Sequence, residues 1–132
     1  MQTRLYRPDD YSTACEWWDG HDHPHVSEAV LPCCGVVVED MRLQPVAMGW
    51  LYLDNSRGVS MLAWMVTNPN NLPRDSVRSL TILAEASKQV SKELGYGVLI
   101  ASAAEGLARL LSKNGFTKTS AVPHYHLLNL SR

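Results

Sequence analysis

The sequence predicts an α/β (α+β) fold: a mixed, mostly antiparallel sheet with helices on both faces. Two observations carry that prediction. The stretch from Ser60 to Ile100 reads as strand, polar loop, long helix, strand, a crossover between sheet neighbours. Ahead of it, short runs of β-branched and apolar residues are separated by turn-forming ones, the pattern of antiparallel neighbours.

Taken in order, Thr3–Arg7 is a short strand candidate ended by Pro8-Asp9-Asp10. Asp9 or Asp10 can cap a helix from Tyr11 to about Trp18, with Ala14, Trp17 and Trp18 on its apolar side. A loop follows with three alternating histidines, His21, His23 and His25, and Val26–Val30 offers a short helical turn. Gly35–Glu39 and Val46–Leu53 read as strands, joined through Asp40–Pro45 in a hairpin-like connection.

Met61–Val66 is the next strand, stopped by Asn68-Pro69-Asn70-Asn71, where Pro lacks a sheet donor and Asn tolerates turns. Pro73 suits the first turn of a helix. Val77, Leu80, Leu83, Ala84, Val90 and Leu94 then recur at three- and four-residue spacing, an amphipathic stripe closed by Gly95 as a left-handed cap. Val98–Ala101 is a strand, Ala104–Asn114 a helix ended by Gly115, and Phe116–Leu130 one or two closing strands.

At 132 residues the expectation is one domain, residues 1–132, without repeats or linkers. The opening MQTRLYRPDD has no signal-peptide core, and no apolar run approaches the ~20 residues a bilayer requires. A soluble, cytoplasmic protein is expected. Cys15, Cys33 and Cys34 show no C-x-x-C spacing and read as reduced thiols. Structural zinc uses paired ligands at short spacing, so no metal site is expected.

Charge is uneven. Residues 1–73 hold four basic and nine acidic side chains, and residues 74–132 hold eight and four. A phosphate-bearing small ligand near the basic part fits; a nucleic-acid role does not, for want of a basic stripe or binding module. A strand that feeds a helix N-terminus through a loop is itself an anion site, because free N–H groups and the helix dipole converge there.

The element order, with Leu110-Leu111-Ser112-Lys113-Asn114-Gly115-Phe116, resembles the GNAT (N-acetyltransferase) superfamily, whose members often end a helix in "L-x-x-x-G-F" before their last strands. Val46-Ala47-Met48-Gly49-Trp50-Leu51 looks like that family's third strand, and Val66-Thr67-Asn68-Pro69 like the end of its fourth. Trp17-Trp18-x-x-His21, Leu31-Pro32, Gly49-Trp50-Leu51 and Asn68-Pro69, in that order, are similar to small GNAT-like proteins of phages and prophages.

The resemblance implies an acyl-CoA-dependent N-acyltransferase, with acetyl-CoA as co-substrate and an amine acceptor of unidentified kind, small molecule or protein. Met65 and Val66 would contact the pantetheine arm, and Arg74, Ser76, Arg78 and Ser79 the pyrophosphate. The Val66 N–H would stabilise the oxyanion. His21, matched by the phage-protein pattern, would take the proton from the acceptor ammonium. No membrane or nucleic-acid partner is implied, and a homodimer stays open.

Two departures from the family pattern stand out. The small positions of its Arg/Gln-x-x-Gly-x-Gly/Ala loop fall on Asp75 and Val77, and a tyrosine used as an acid on the departing thiolate is Leu111 here. The alternative is therefore a non-catalytic GNAT-shaped phage protein acting by macromolecular interaction, in the virion or the host cytoplasm. The three loop histidines also read as a solvated run or a metal cluster. The four tryptophans read as core or as a substrate cleft, and His124 and His126 as one strand face.

Overall fold

The computed structural model describes residues 1–56, 58–102, 105–118 and 125–130. Its elements are β1 (Gln2–Leu5), a 3-10 turn (Pro8–Asp10), α1 (Tyr11–Gly20), β2 (Gly35–Glu39), β3 (Pro45–Leu53), β4 (Val59–Thr67), α2 (Pro73–Glu93), β5 (Val98–Ser102), α3 (Glu105–Lys113), β6 (Thr117–Lys118) and β7 (Tyr125–Asn129). They build a seven-stranded sheet in the order β1-β2-β3-β4-β5-β7-β6. Every pairing is antiparallel except β4 with β5. That one parallel pair is the crossover through α2, as parallel neighbours require a long connection. The expected mixed, mostly antiparallel sheet is what forms. His124 lies outside the described residues.

Alternation along the strands divides the core between two faces. Val37, Met48, Trp50 and Val66 pack with Ala14, Trp17 and Trp18 of α1. Val36, Val38 and Ala47 turn the other way, onto Leu83 of α2. Farther along that second face, Leu51, Leu62, Leu99 and Ala101 meet Ala84 of α2 and Leu111 of α3. Trp18 stacks on Trp50 with centroids 5.7 Å apart. None of the described helices is long and apolar enough to cross a membrane.

The expected stripe holds at Leu80, Leu83, Ala84 and Val90, which pack on the core, and fails at its two ends. Leu83 and Ala84 are buried with Ser79, Ser87 and Ser91, whereas Val77 and Leu94 are exposed. The serines are tolerated because each is hydrogen-bonded: Ser79 Oγ–H donates to the Ser76 carbonyl and Ser87 Oγ–H to that of Leu83 (2.9 and 2.7 Å), and Ser60 Oγ–H of β4 donates to Ser91 Oγ at 2.9 Å. Gly95 does take a left-handed conformation (φ 88°). Around it the Tyr96 N–H reaches the Ser91 carbonyl and the Gly95 N–H that of Lys92.

The N-terminal edge is held by ions. Asp10 does not cap α1 with its side chain; it accepts from the Arg7 N–H (2.8 Å) and twice from the Arg4 guanidinium (2.7 and 2.9 Å). Arg4 Nε also donates to Glu39 at 2.9 Å, so one cation joins β1, β2 and the start of α1. Burial pushes the Asp10 carboxyl up, but the Arg4 and Arg7 hydrogen bonds outweigh it and hold it below the usual range. The Arg4 hydrogen bond lowers Glu39 against the opposing effect of burial.

α1 runs two residues past Trp18 because Gly20 lets it lie against the loop after β4. A Cβ on Gly20 would stand 2.5 Å from Cγ of Pro69.

Candidate functional site

β4 has two partners for only part of its length. Val59–Leu62 pairs with Val98–Ala101 of β5, and beyond Leu62 that pairing stops while pairing with β3 continues to Thr67. The sheet opens there. On the β3 side, Trp50 faces Ala63 and Met48 faces Val66, so Trp64 and Met65 together oppose Gly49, a β-bulge. Trp64 takes φ 59°, a left-handed conformation uncommon for any residue but glycine and marked for a bulky one. Gly49 leaves room for the bulge: a Cβ on it would stand 3.0 Å from Leu62 and 3.2 Å from Met65.

A cavity of about 360 Å³ occupies the opening. Trp18, His21 and His23 line it from the α1 side, Trp64 to Thr67 along β4, and Leu80, Ser102 and Leu107 from the α2–α3 side. His21 and Val66 thus share one cavity. His21 Nε2 lies 2.9 Å from the Thr67 carbonyl oxygen, which can only accept. The proton is therefore on Nε2, and the lone pair of a neutral imidazole is on Nδ1. His23 Nδ1 donates to the Pro24 carbonyl (2.6 Å), and His25 Nε2 meets Asp19 at 2.7 Å. Each histidine has its own partner, and no metal-binding group of three appears among the described residues.

Of the four tryptophans, Trp17, Trp18 and Trp50 are core, and Trp64 is 40% exposed at the cavity. Its Nε1–H donates to Tyr52 Oη (2.9 Å), whose own O–H donates to the Val30 carbonyl (2.9 Å). That chain ties the bulge to the turn at Ser27–Leu31. The sequence offers Trp64 as core or cleft, but nothing in local pattern marks its left-handed conformation or its link to Tyr52, because the bulge arises from a register mismatch between β3 and β4.

Backbone direction separates Val66 from Thr67. The Asp54 N–H donates to Val59 and the Asn68 N–H to Val46, and ladder alternation between them makes Met48 and Val66 a hydrogen-bonded pair. The Val66 N–H faces β3 and is taken by the ladder. Thr67 faces away, as its bond to His21 requires, so its N–H is the donor directed to the opening.

The groove between α2 and α3 is about 530 Å³ and adjoins the first cavity at Leu80 and Leu107, which line both. Ser76, Val77 and Thr81 line it from α2, and Arg109 and Lys113 from α3. Arg78 is elsewhere, in a cavity of about 470 Å³ with Asp75, Asn71 and Arg42. Ser79 is buried and bonded to Ser76, so it presents nothing to a ligand. Arg74 is exposed at the helix start.

The start of α2 has few backbone donors. Pro73 has none, and the N–H groups of Asp75 and Ser76 both go to the Leu72 carbonyl (2.9 and 3.0 Å), leaving that of Arg74 in the first turn. The pairing of Arg109 with Lys113 across from Ser76 was hidden in the sequence, because it depends on how α3 lies against α2. Leu111, where the family's tyrosine would fall, is fully buried.

No protein-family model matches the chain, and no curated protein does. Solved structures do. N-acetylglutamate synthase from Neisseria gonorrhoeae, complexed with coenzyme A and L-arginine, aligns over 99% of this chain and 33% of its own, with a TM-score of 0.78 at 14% identity. This chain spans a third of that protein. A GNAT family N-acetyltransferase from Escherichia coli in complex with CoA aligns over 98% of this chain and 81% of its own, with a TM-score of 0.70 at 14% identity. The aminoglycoside 6'-N-acetyltransferase from Enterococcus faecium aligns over 98% and 97%, with a TM-score of 0.73 at 10% identity. The chain has the fold of these N-acetyltransferases.

Proposed function

We propose that the chain is an acyl-CoA-dependent N-acyltransferase that moves an acetyl group from acetyl-CoA to an amine. The observation that carries this reading is the opening between β4 and β5, where a cavity lined by His21 adjoins a groove between α2 and α3 at Leu80 and Leu107. A pantetheine arm laid in that groove would run past Leu80 and Leu107 to bring its thioester beside Met65, Val66 and Thr67. CoA-bound structures of the same fold support the choice of cofactor.

In the reaction the amine nitrogen bonds to the thioester carbonyl carbon and the carbon–sulfur bond breaks. The Thr67 N–H is the donor for the developing oxyanion in this reading, replacing that of Val66. His21 Nδ1 accepts the proton lost by the amine, while the Thr67 carbonyl fixes the ring through Nε2–H. The departing thiolate takes its proton from solvent, since Leu111 has none to give. Arg109 and Lys113 neutralise phosphate charge, with Ser76 and the Arg74 N–H adding donors. Arg78 stands on the Asp75 side and contributes less.

A second reading has one observation in its favour: the helix start offers a single first-turn N–H beside the carboxylate of Asp75. A GNAT-shaped phage or prophage protein that binds a macromolecule, in the virion or the host cell, would need no more. Calorimetric titration with acetyl-CoA separates the two. Binding is expected, with Arg109→Ala weakening it by about ten- to a hundredfold and Arg78→Ala by less. Absence of binding at millimolar acetyl-CoA sinks the enzyme reading.

A further inference from the structure

We infer that the His21 end of the cavity is an acceptor subsite for a primary amine carried on an apolar, singly charged body, with Trp64 as its specificity-determining wall. The inference rests on the acyltransfer reading and concerns which amines that site takes.

The first argument is the lining. Trp18, Trp64, Met65 and Val66 present aromatic and apolar surface, and His21, His23 and Thr67 supply the polar atoms. No carboxylate lines the cavity among the described residues, and Asp19 near the end of α1 is engaged by His25 at 2.7 Å. One ammonium fits such a site, because it meets indole faces before giving its proton to His21. A second or third ammonium on the same molecule would lose water without gaining a counter-charge, which works against polyamines and aminoglycosides.

The second argument is the conformation of Trp64. A left-handed backbone at a bulky residue is retained where the surroundings over-determine it. Core packing does not explain it here, since the side chain is 40% exposed. What the conformation achieves is an indole at the cavity wall, anchored through Tyr52 to the Val30 carbonyl.

The test uses 2-phenylethylamine and spermidine as acceptors with acetyl-CoA, read by thiol release, beside calorimetric titrations of CoA and of each amine alone. The aryl amine should show the higher kcat/KM by about tenfold or more. Trp64→Ala should lower that value by about tenfold while Trp64→Phe keeps it within about threefold, and CoA affinity should not move in either variant. Preference for spermidine, or an equal effect of Trp64→Ala on both amines, overturns the inference. So does CoA binding with neither amine bound or acetylated, which leaves the cofactor reading standing. Failure to bind CoA removes the acyltransfer reading instead. The subsite is then judged on phenylethylamine heat alone, which must appear in the wild type and vanish in Trp64→Ala.

Discussion

The two halves of β4 share a strand and differ in everything else. Val59–Leu62 has a partner on each side, and Ser60 and Leu62 are completely buried there. Ala63–Thr67 has β3 alone, a bulge, a left-handed tryptophan and a cavity. The first half spends its backbone groups on the sheet. The second keeps those of Thr67 for other use, and loses a ladder to do so. The extra residue of the bulge follows directly after Leu62, the last residue paired with β5, and its neighbour Ala63.

The largest expected effect breaks the paired half. Leu62→Ala should cost about 3 kcal/mol in urea unfolding, by removing a fully buried side chain packed with Leu51, Ala84 and Leu99. A loss under about 1 kcal/mol would mean that this half is not the core it is taken for. Next in size is His21→Ala in the open half. It should slow acetyl transfer by about 100-fold, equal to about 2.7 kcal/mol of barrier, and change unfolding free energy by less than about 1 kcal/mol. An unchanged rate returns His21 to the role of a loop residue bonded to Thr67.

The well-paired edge at β1 sharpens the contrast from another side. Arg4→Ala should cost about 2 kcal/mol, because it strips the Asp10 and Glu39 carboxylates of their shared cation. Both carboxyls sit below their ordinary values when folded. Their contribution is therefore full above the unfolded carboxylate range near pH ~4 and is lost as pH falls through the lower folded values. Thermal scans should show wild-type stability dropping in acid and Arg4→Ala dropping less; parallel curves would discard the ionic account. The smallest effect is that of Trp64→Gly on stability, within about 1 kcal/mol, since relief of the left-handed conformation offsets the lost contacts of a half-exposed indole. A loss beyond about 2 kcal/mol would place Trp64 with the core residues.

What could be read from sequence follows this same division. The strand–helix–strand crossover was legible because Pro73, the apolar spacing and Gly95 all act locally, within a few residues of what they determine. The left-handed Trp64 was not, because its cause is a count of residues between two strands that only pairing reveals. The family resemblance puts Arg74 and Arg78 together at the pyrophosphate. Arg78 shares a cavity with Asp75 instead, and the charges on the α2–α3 groove, Arg109 and Lys113, come from another helix. Orientation of a helix about its own axis is set by tertiary packing, as the serines buried along α2 also show.

One glycine has a bearing on how two ligands would sense each other. Gly20 ends α1 on the side of the histidine loop, and it touches Pro69, which leads into the start of α2. His21, the next residue, is bonded to Thr67 on the same strand end. The histidine loop and the loop leading into α2 thus meet with no space for even a methyl group between them. A shift in one is transmitted to the other by direct contact. Such communication is reciprocal: if an acyl-CoA tightens the hold on an amine by some factor, the amine tightens the hold on the acyl-CoA by that same factor. A bulkier residue at position 20 would act as a wedge, and its signature would be loss of this mutual reinforcement with each ligand still able to bind alone.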